Sequence, residues 1–193
     1  MAANGDNMFV DQIFPTNVLI AENLEMANLL LPICEKYTDI TQSNLLHISN
    51  FPSTLSDRDL MSHVNNEPLV KDFMNLIATT YVKKLAESSN ITYSDIEFRP
   101  YGFFSSMNKY AYLRKHLHKD CSFSGTFYLK VDEDVPPLVF YDPRQIASLV
   151  NKSPHTLSIA PKTGMLLLWE SWLEHEIPQK LNNNARKTFS FNI

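Results

Sequence analysis

His116, His118 and Asp120 stand at alternate positions, separated by Leu117 and Lys119. In an extended chain successive side chains point to opposite faces, so these three would share one face. Imidazole and carboxylate are the ligand types of a non-haem iron held by three protein groups on one side, with open positions opposite. A further group should come from a distant segment, and Trp172-Leu173-Glu174-His175 offers His175. The same spacing also fits solvated strand residues beside a basic patch of Arg114, Lys115 and Lys119. Spacing by itself leaves both readings standing, because short motifs recur by chance.

Such residues need a frame to position them. Up to residue 90 the pattern is mostly helical. From Ala21 to Tyr37, apolar Leu24, Ala27, Leu30, Leu31 and Cys34 recur at helical spacing, and Pro32 predicts a kink or break. Ser56-Asp57-Arg58-Asp59 reads as a helix start. The clearest helix is Glu67 to Glu87, with Pro68 in its first turn and Leu69, Val70, Phe73, Leu76, Ile77, Tyr81 and Leu85 as its apolar face. Ile13 to Ile20 suits an edge strand, since Pro15 cannot donate to a ladder, and Leu45, Leu46 and Ile48 suit a short one. His47 and His63 have no ligand-type neighbours and read as structural or surface histidines.

After Asn90 the period becomes extended. Strands are expected over Ile96 to Phe104, Lys109 to His118, Ser122 to Val131 and Leu138 to Tyr141. More are expected over Thr156 to Ala160, Met165 to Trp169, Glu174 to Pro178 and Lys187 to Asn192. Helices followed by many short strands give an α+β, mainly β order, with an antiparallel sandwich or jelly roll as the core. No linker separates the halves. We expect a single domain over 1–193, helical over about 1–90 and jelly-roll over about 91–193.

The composition, 44% hydrophobic and 20% charged over 193 residues, is that of an ordinary globular protein with a sizeable core. A net charge of −4 argues against nucleic-acid backbone as the main partner, which would need a basic surface. Cys34 and Cys121 are too few for a disulfide framework, which points to a reducing compartment. The first residues lack a basic region followed by an apolar core, and no apolar run approaches a membrane span. The expectation is a cytoplasmic protein with no membrane partner.

The run His116-Leu-His118-Lys-Asp-Cys-Ser-Phe-Ser124-Gly125-Thr-Phe-Tyr128-Leu129 resembles the His-x-His…Ser-Gly-x-Tyr-Tyr-Leu signature of small 2-oxoglutarate/iron(II)-dependent oxygenases, common in marine bacteria and their phages. Three further blocks match in order. They are Asp142-Pro143-Arg144, then Pro161 to Gly164 with Ser171-Trp172-Leu173-Glu-His175, then Arg186-Lys-Thr188 with Phe191-Asn192. The fold this implies is a double-stranded β-helix with the N-terminal helices packed on the outer face of one sheet. The cofactors it implies are Fe(II), 2-oxoglutarate and O2, and the setting for a phage-encoded copy is the host cytoplasm.

Residue by residue, the resemblance puts His116, His118 and His175 at the metal. Tyr112, four residues before His116, is also similar to a tyrosine of prolyl-hydroxylase-like oxygenases. Those enzymes carry an acid second, and shifting the register gives His118-Lys119-Asp120, so Asp120 rivals His116 for the third place. Asp120 could instead orient a ligand imidazole. Arg186, eleven residues after His175, is expected to hold the far carboxylate of 2-oxoglutarate as a bidentate fork, with Thr188 on the same face. Tyr112 and Tyr128 are candidate cosubstrate contacts and pocket walls, and Arg144 a candidate substrate contact or loop salt bridge. Ser124 and Gly125 are expected to serve close strand packing, and Trp169 and Trp172 to be core aromatics. The implied activity is hydroxylation of a C–H bond on a small molecule or peptide, such as an amino-acid side chain. Two other readings stay open: a non-catalytic jelly-roll binding module, and a nucleic-acid demethylase using the same chemistry.

Overall fold

A computed structural model describes residues 16–39, 51–144 and 155–193. The expected strand near Leu45, and His47 with it, lie outside these residues, as does the start of the strand expected from Ile13.

Helix α1 (Leu24–Asp39) begins where Asn23 Oδ1 accepts from the Met26 N–H at 2.9 Å. It runs through Pro32 without the break expected as the alternative to a kink. Pro32 lies on the exposed side, as does Asn28, whose carbonyl loses its usual donor and is left to water. The opposite stripe, Ala27, Leu30, Cys34 and Tyr37, is buried and keeps the helix seated. Ala21 belongs to the preceding strand instead, β1 (Val18–Glu22). Asp57 caps α2 (Arg58–Asn66) by accepting from the Asp59 and Leu60 N–H groups. α3 (Pro68–Leu76), with Pro68 at its start, continues through a π-helical stretch (Ile77–Val82) into α4 (Lys83–Ser88).

The other strands are β2 (Tyr101–Ser106), β3 (Leu113–His116), β4 (Phe123–Val131), β5 (Leu138–Tyr141), β6 (Thr156–Ile159), β7 (Met165–Glu170), β8 (His175–Ile177) and β9 (Arg186–Asn192). Several come out shorter than their periodicity, β2 and β3 most of all. β2 begins only after Pro100, which has no N–H to give a ladder, and before β3 Tyr110 takes a positive φ of 67°, which ends any extended run. The strands form two antiparallel sheets, β1-β7-β4-β9-β2 and β3-β8-β5-β6. This is the jelly-roll arrangement expected, and β1 is an edge strand.

The helices cover the outer face of the larger sheet. Phe73 of α3 meets Phe127 of β4 at 4.8 Å and Phe189 of β9 at 6.1 Å between ring centroids. Asn65 of α2 fastens the edge strand β2, bonding both the N–H and the C=O of Gly102 at 2.8 Å. Period-two alternation divides the central strands between two spaces. Phe127, Leu129, Leu166, Leu168, Phe189 and Phe191 enter the helix layer, while Tyr128, Leu167 and Trp169 face the smaller sheet. Gly125 is needed at the crossing, because a Cβ there would lie 2.2 Å from Phe191 Cζ and 2.8 Å from the Leu167 carbonyl oxygen.

Candidate functional site

His116 ends β3 and sits opposite His175, which opens β8. The β3–β8 register shifts between Leu113 and His116, a bulge of the kind that re-aims a side chain. His118 lies past the strand end, so unbroken alternation is not what unites the histidines. The Ser171 carbonyl holds the His118 N–H at 2.9 Å. One ring nitrogen from each of His116, His118 and His175 lies within 4.8 Å of the others. Among the described residues no carboxylate joins this group. Asp120 follows in an exposed bend, outside it.

The donor chemistry fits a metal. His116 Nδ1 lies 2.7 Å from the Arg114 carbonyl oxygen, and His175 Nδ1 lies 2.9 Å from that of Leu173. A carbonyl only accepts, so each Nδ1 must carry the proton and each Nε2 must offer a lone pair. Burial pushes all three imidazoles below their ordinary range, His118 to about 4 and His175 to about 3, and for these two the neighbouring His116 adds to the effect. The neutral, ligating form therefore prevails at physiological pH. Three neutral ligands leave a divalent cation's charge uncompensated, which favours an anionic ligand beside it.

The site also holds a buried cation. The histidines line a cavity of about 90 Å3, together with Arg186, Thr188, Ser190 and Asn192 from one face of β9. Arg186 is only 2% exposed. Its Nη1 reaches Met107 Sδ at 3.1 Å, its Nη2 reaches the Tyr128 hydroxyl at 3.5 Å, and its Nε has no partner. Its guanidinium lies 5.2 Å over the Tyr128 ring. No described carboxylate pairs with it. Burial pulls its pKa down, the signature of a cation without a counter-ion. A carboxylate entering the cavity would supply what the fold leaves out.

The remaining candidates lie further out. Tyr128 is fully buried and supports Arg186 from beside it. Tyr112 is half-buried just ahead of β3, its ring 5.6 Å from the Arg114 guanidinium. Arg144 is exposed and binds both oxygens of Asp142 at 3.0 Å. Trp172 is exposed rather than core, donating to Glu170 at 2.7 Å. Ser124 does more than pack: its hydroxyl donates to Asn192 Oδ1 and meets the Ser171 hydroxyl, each at 2.7 Å. Sequence reasoning missed Ser190 and Asn192 on the cavity wall, although counting by twos from Arg186 reaches both. Phe51 and Ser53 also line the wall, and they come from a segment with no period to read.

Residues 103–192 match the model of the family described as "Putative 2OG-Fe(II) oxygenase". No curated protein matches the chain. Among solved structures, a prolyl-4-hydroxylase from Pseudomonas putida superposes with a TM-score of 0.63 at 12% identity, covering 92% of each chain. An oxidoreductase of the 2OG-Fe(II) oxygenase family from Burkholderia pseudomallei gives 0.58 at 15% identity, over 91% of this chain and 82% of that one. HygX from Streptomyces hygroscopicus, solved with nickel and 2-oxoglutarate bound, gives 0.53 at 10% identity, over 92% and 83%. At such identities these likenesses establish the jelly-roll fold. The family match spans β2 to β9 and contains the three histidines and Arg186. This region is similar to the 2OG-Fe(II) oxygenase family, and the solved oxygenases share its fold.

Proposed function

We propose that the protein is an Fe(II)- and 2-oxoglutarate-dependent dioxygenase that hydroxylates a C–H bond of a small molecule or peptide, such as an amino-acid side chain. The observation that carries this reading is the sharing of one cavity by three converging imidazoles and a buried arginine that has no counter-ion among the described residues. Iron(II), O2 and 2-oxoglutarate together supply the oxidation, in which the cosubstrate leaves as succinate and CO2 and the substrate C–H becomes C–OH.

The chain's own residues divide the remaining work. His116, His118 and His175 hold the metal, with the Arg114 and Leu173 carbonyls fixing two imidazoles in the ligating tautomer. His116 takes the third place in preference to Asp120, which the bend turns out to solvent. Arg186 grips the far carboxylate, and Thr188 on the same face adds a hydroxyl. Tyr128 steadies Arg186, Tyr112 backs the site from just ahead of β3, and Arg144 contacts substrate from the exposed loop after β5. Phe51, Leu55, Leu113, Leu138 and Ile177 keep water from the reacting centre. The helical and jelly-roll parts act as one domain, because they share the apolar layer around Phe73. No described helix is long and apolar enough to cross a membrane.

The test is anaerobic titration of the metal-loaded protein with 2-oxoglutarate, followed by admission of oxygen in the presence of ascorbate. Saturable binding followed by slow formation of succinate is expected even without substrate. Binding with no turnover across broad substrate mixtures would leave a binding module instead.

A further inference from the structure

Among the described residues, two buried side-chain nitrogens have no hydrogen-bond partner, Arg186 Nε and Trp169 Nε1. Both residues line the cavity that the three histidines line. The first is accounted for by an incoming carboxylate. The second is not, and an unpaired buried N–H costs about as much as a lost hydrogen bond.

Trp169 is 3% exposed and stands on the inner face of β7, its ring edge-on to His175 at 4.8 Å. It belongs to a row across the larger sheet, opposite Ser124, which in turn is opposite Asn192. Elsewhere in that row the polar side chains are paired. Ser124 donates to Asn192 Oδ1, and Asn192 Nδ2 donates to the Tyr101 hydroxyl, both at 2.7 Å. The indole is a donor only, so what it lacks is an acceptor. Arg186 starts β9 and Asn192 ends it, so the orphaned cation and the orphaned indole mark opposite ends of the inner face, with Trp169 at the metal end.

We infer that Trp169 is a second anchor for 2-oxoglutarate, its indole N–H donating to an oxygen of the 2-oxo-acid end while Arg186 holds the far carboxylate. This rests on the cosubstrate reading above. One dicarboxylate carrying a 2-oxo group has acceptors at both ends, and its entry would satisfy both orphaned donors at once. Trp169 is on this account a binding and positioning residue, which discriminates for the 2-oxo-acid head.

The experiment is calorimetric titration of Mn(II)-loaded protein without oxygen, using wild type, Trp169→Phe and Arg186→Ala. Phenylalanine keeps a ring against His175 and deletes only the donor. Trp169→Phe should weaken 2-oxoglutarate binding roughly tenfold, the usual effect of losing one hydrogen bond to a charged group. Mn(II) affinity should stay unchanged. Two truncated ligands sort the ends: 2-oxopentanoate, which lacks the far carboxylate, should respond to Trp169→Phe and not to Arg186→Ala, and pentanoate should do the reverse. Equal 2-oxoglutarate affinity in wild type and Trp169→Phe overturns the inference, as does equal weakening of both truncated ligands. If wild type with Mn(II) binds no 2-oxoglutarate, the cosubstrate reading falls as well. Should Trp169→Phe fail to fold, 3-benzothienylalanine in a Trp172→Phe background replaces the one remaining tryptophan with an analogue that has no N–H.

Discussion

The larger sheet has two faces built from the same strands, and they obey different rules. On the helix side, Phe73, Phe104, Phe127, Phe189 and Phe191 fill a layer of hydrocarbon. On the other side the same β9 presents Arg186, Thr188, Ser190 and Asn192, with a cavity in front of them. Desolvation acts in both places with opposite consequences. Beneath the helices it pushes the Cys34 thiol up to about 12, which leaves it inert. Between the sheets it pushes His118 and His175 down, which leaves them ready to bind a metal. Among the described residues the first face leaves no buried side-chain donor unpaired, whereas the second holds two. That contrast is the one expected between a layer that stabilises and a layer that binds, because unpaired buried polar groups persist where a ligand will pair them.

Six substitutions test the contrast, beginning with the largest effect. His175→Ala and His116→Ala should each reduce bound iron to near zero in folded protein, while Asp120→Ala retains it. Metal analysis of the three variants side by side decides this, and the opposite result for His116 and Asp120 would restore the acid-containing triad. Phe73→Ala should lower unfolding free energy by about 3–5 kcal/mol in denaturant titration, because it empties a filled aromatic site. Its metal content, measured in the folded fraction, should not change. A Phe73→Ala variant that also lost its metal would show the two faces to be coupled.

Arg186→Met should do the reverse. Removing a buried cation with an orphaned Nε should raise the stability of the ligand-free protein by about 1–3 kcal/mol. The same change should abolish the thermal shift caused by 2-oxoglutarate. A loss of ligand-free stability would mean that the guanidinium already has a partner. The smallest effect is expected at Arg144, whose side chain is exposed and already paired with Asp142. Arg144→Ala should leave stability and 2-oxoglutarate affinity unmoved and register, if anywhere, in the KM for substrate.

Much of this was legible in the chain. The helix from Pro68, the cap at Asp57 and the strands from Phe123 onward follow from local periodicity and capping chemistry, which need no knowledge of the fold. Arg186 and Thr188 share a face for the same reason, and so do Ser190 and Asn192 beyond them. Pro32 does not break α1, because the stripe opposite is buried against the sheet, which a local rule cannot see.

The sequence by itself determined the residue types at the site, the period of each element, and which residues of a strand share a face. These are properties of neighbours along the chain. Only the tertiary structure decided which histidines meet. His116 and His175 come together through pairing of β3 with β8, and His118 through a bond to Ser171, while a bend carries Asp120 away. It also decided which donors go unpaired, since whether Trp169 and Arg186 find acceptors depends on everything packed around them. Alternation fixes which way a side chain points, but what it points at is set by contacts distant in sequence.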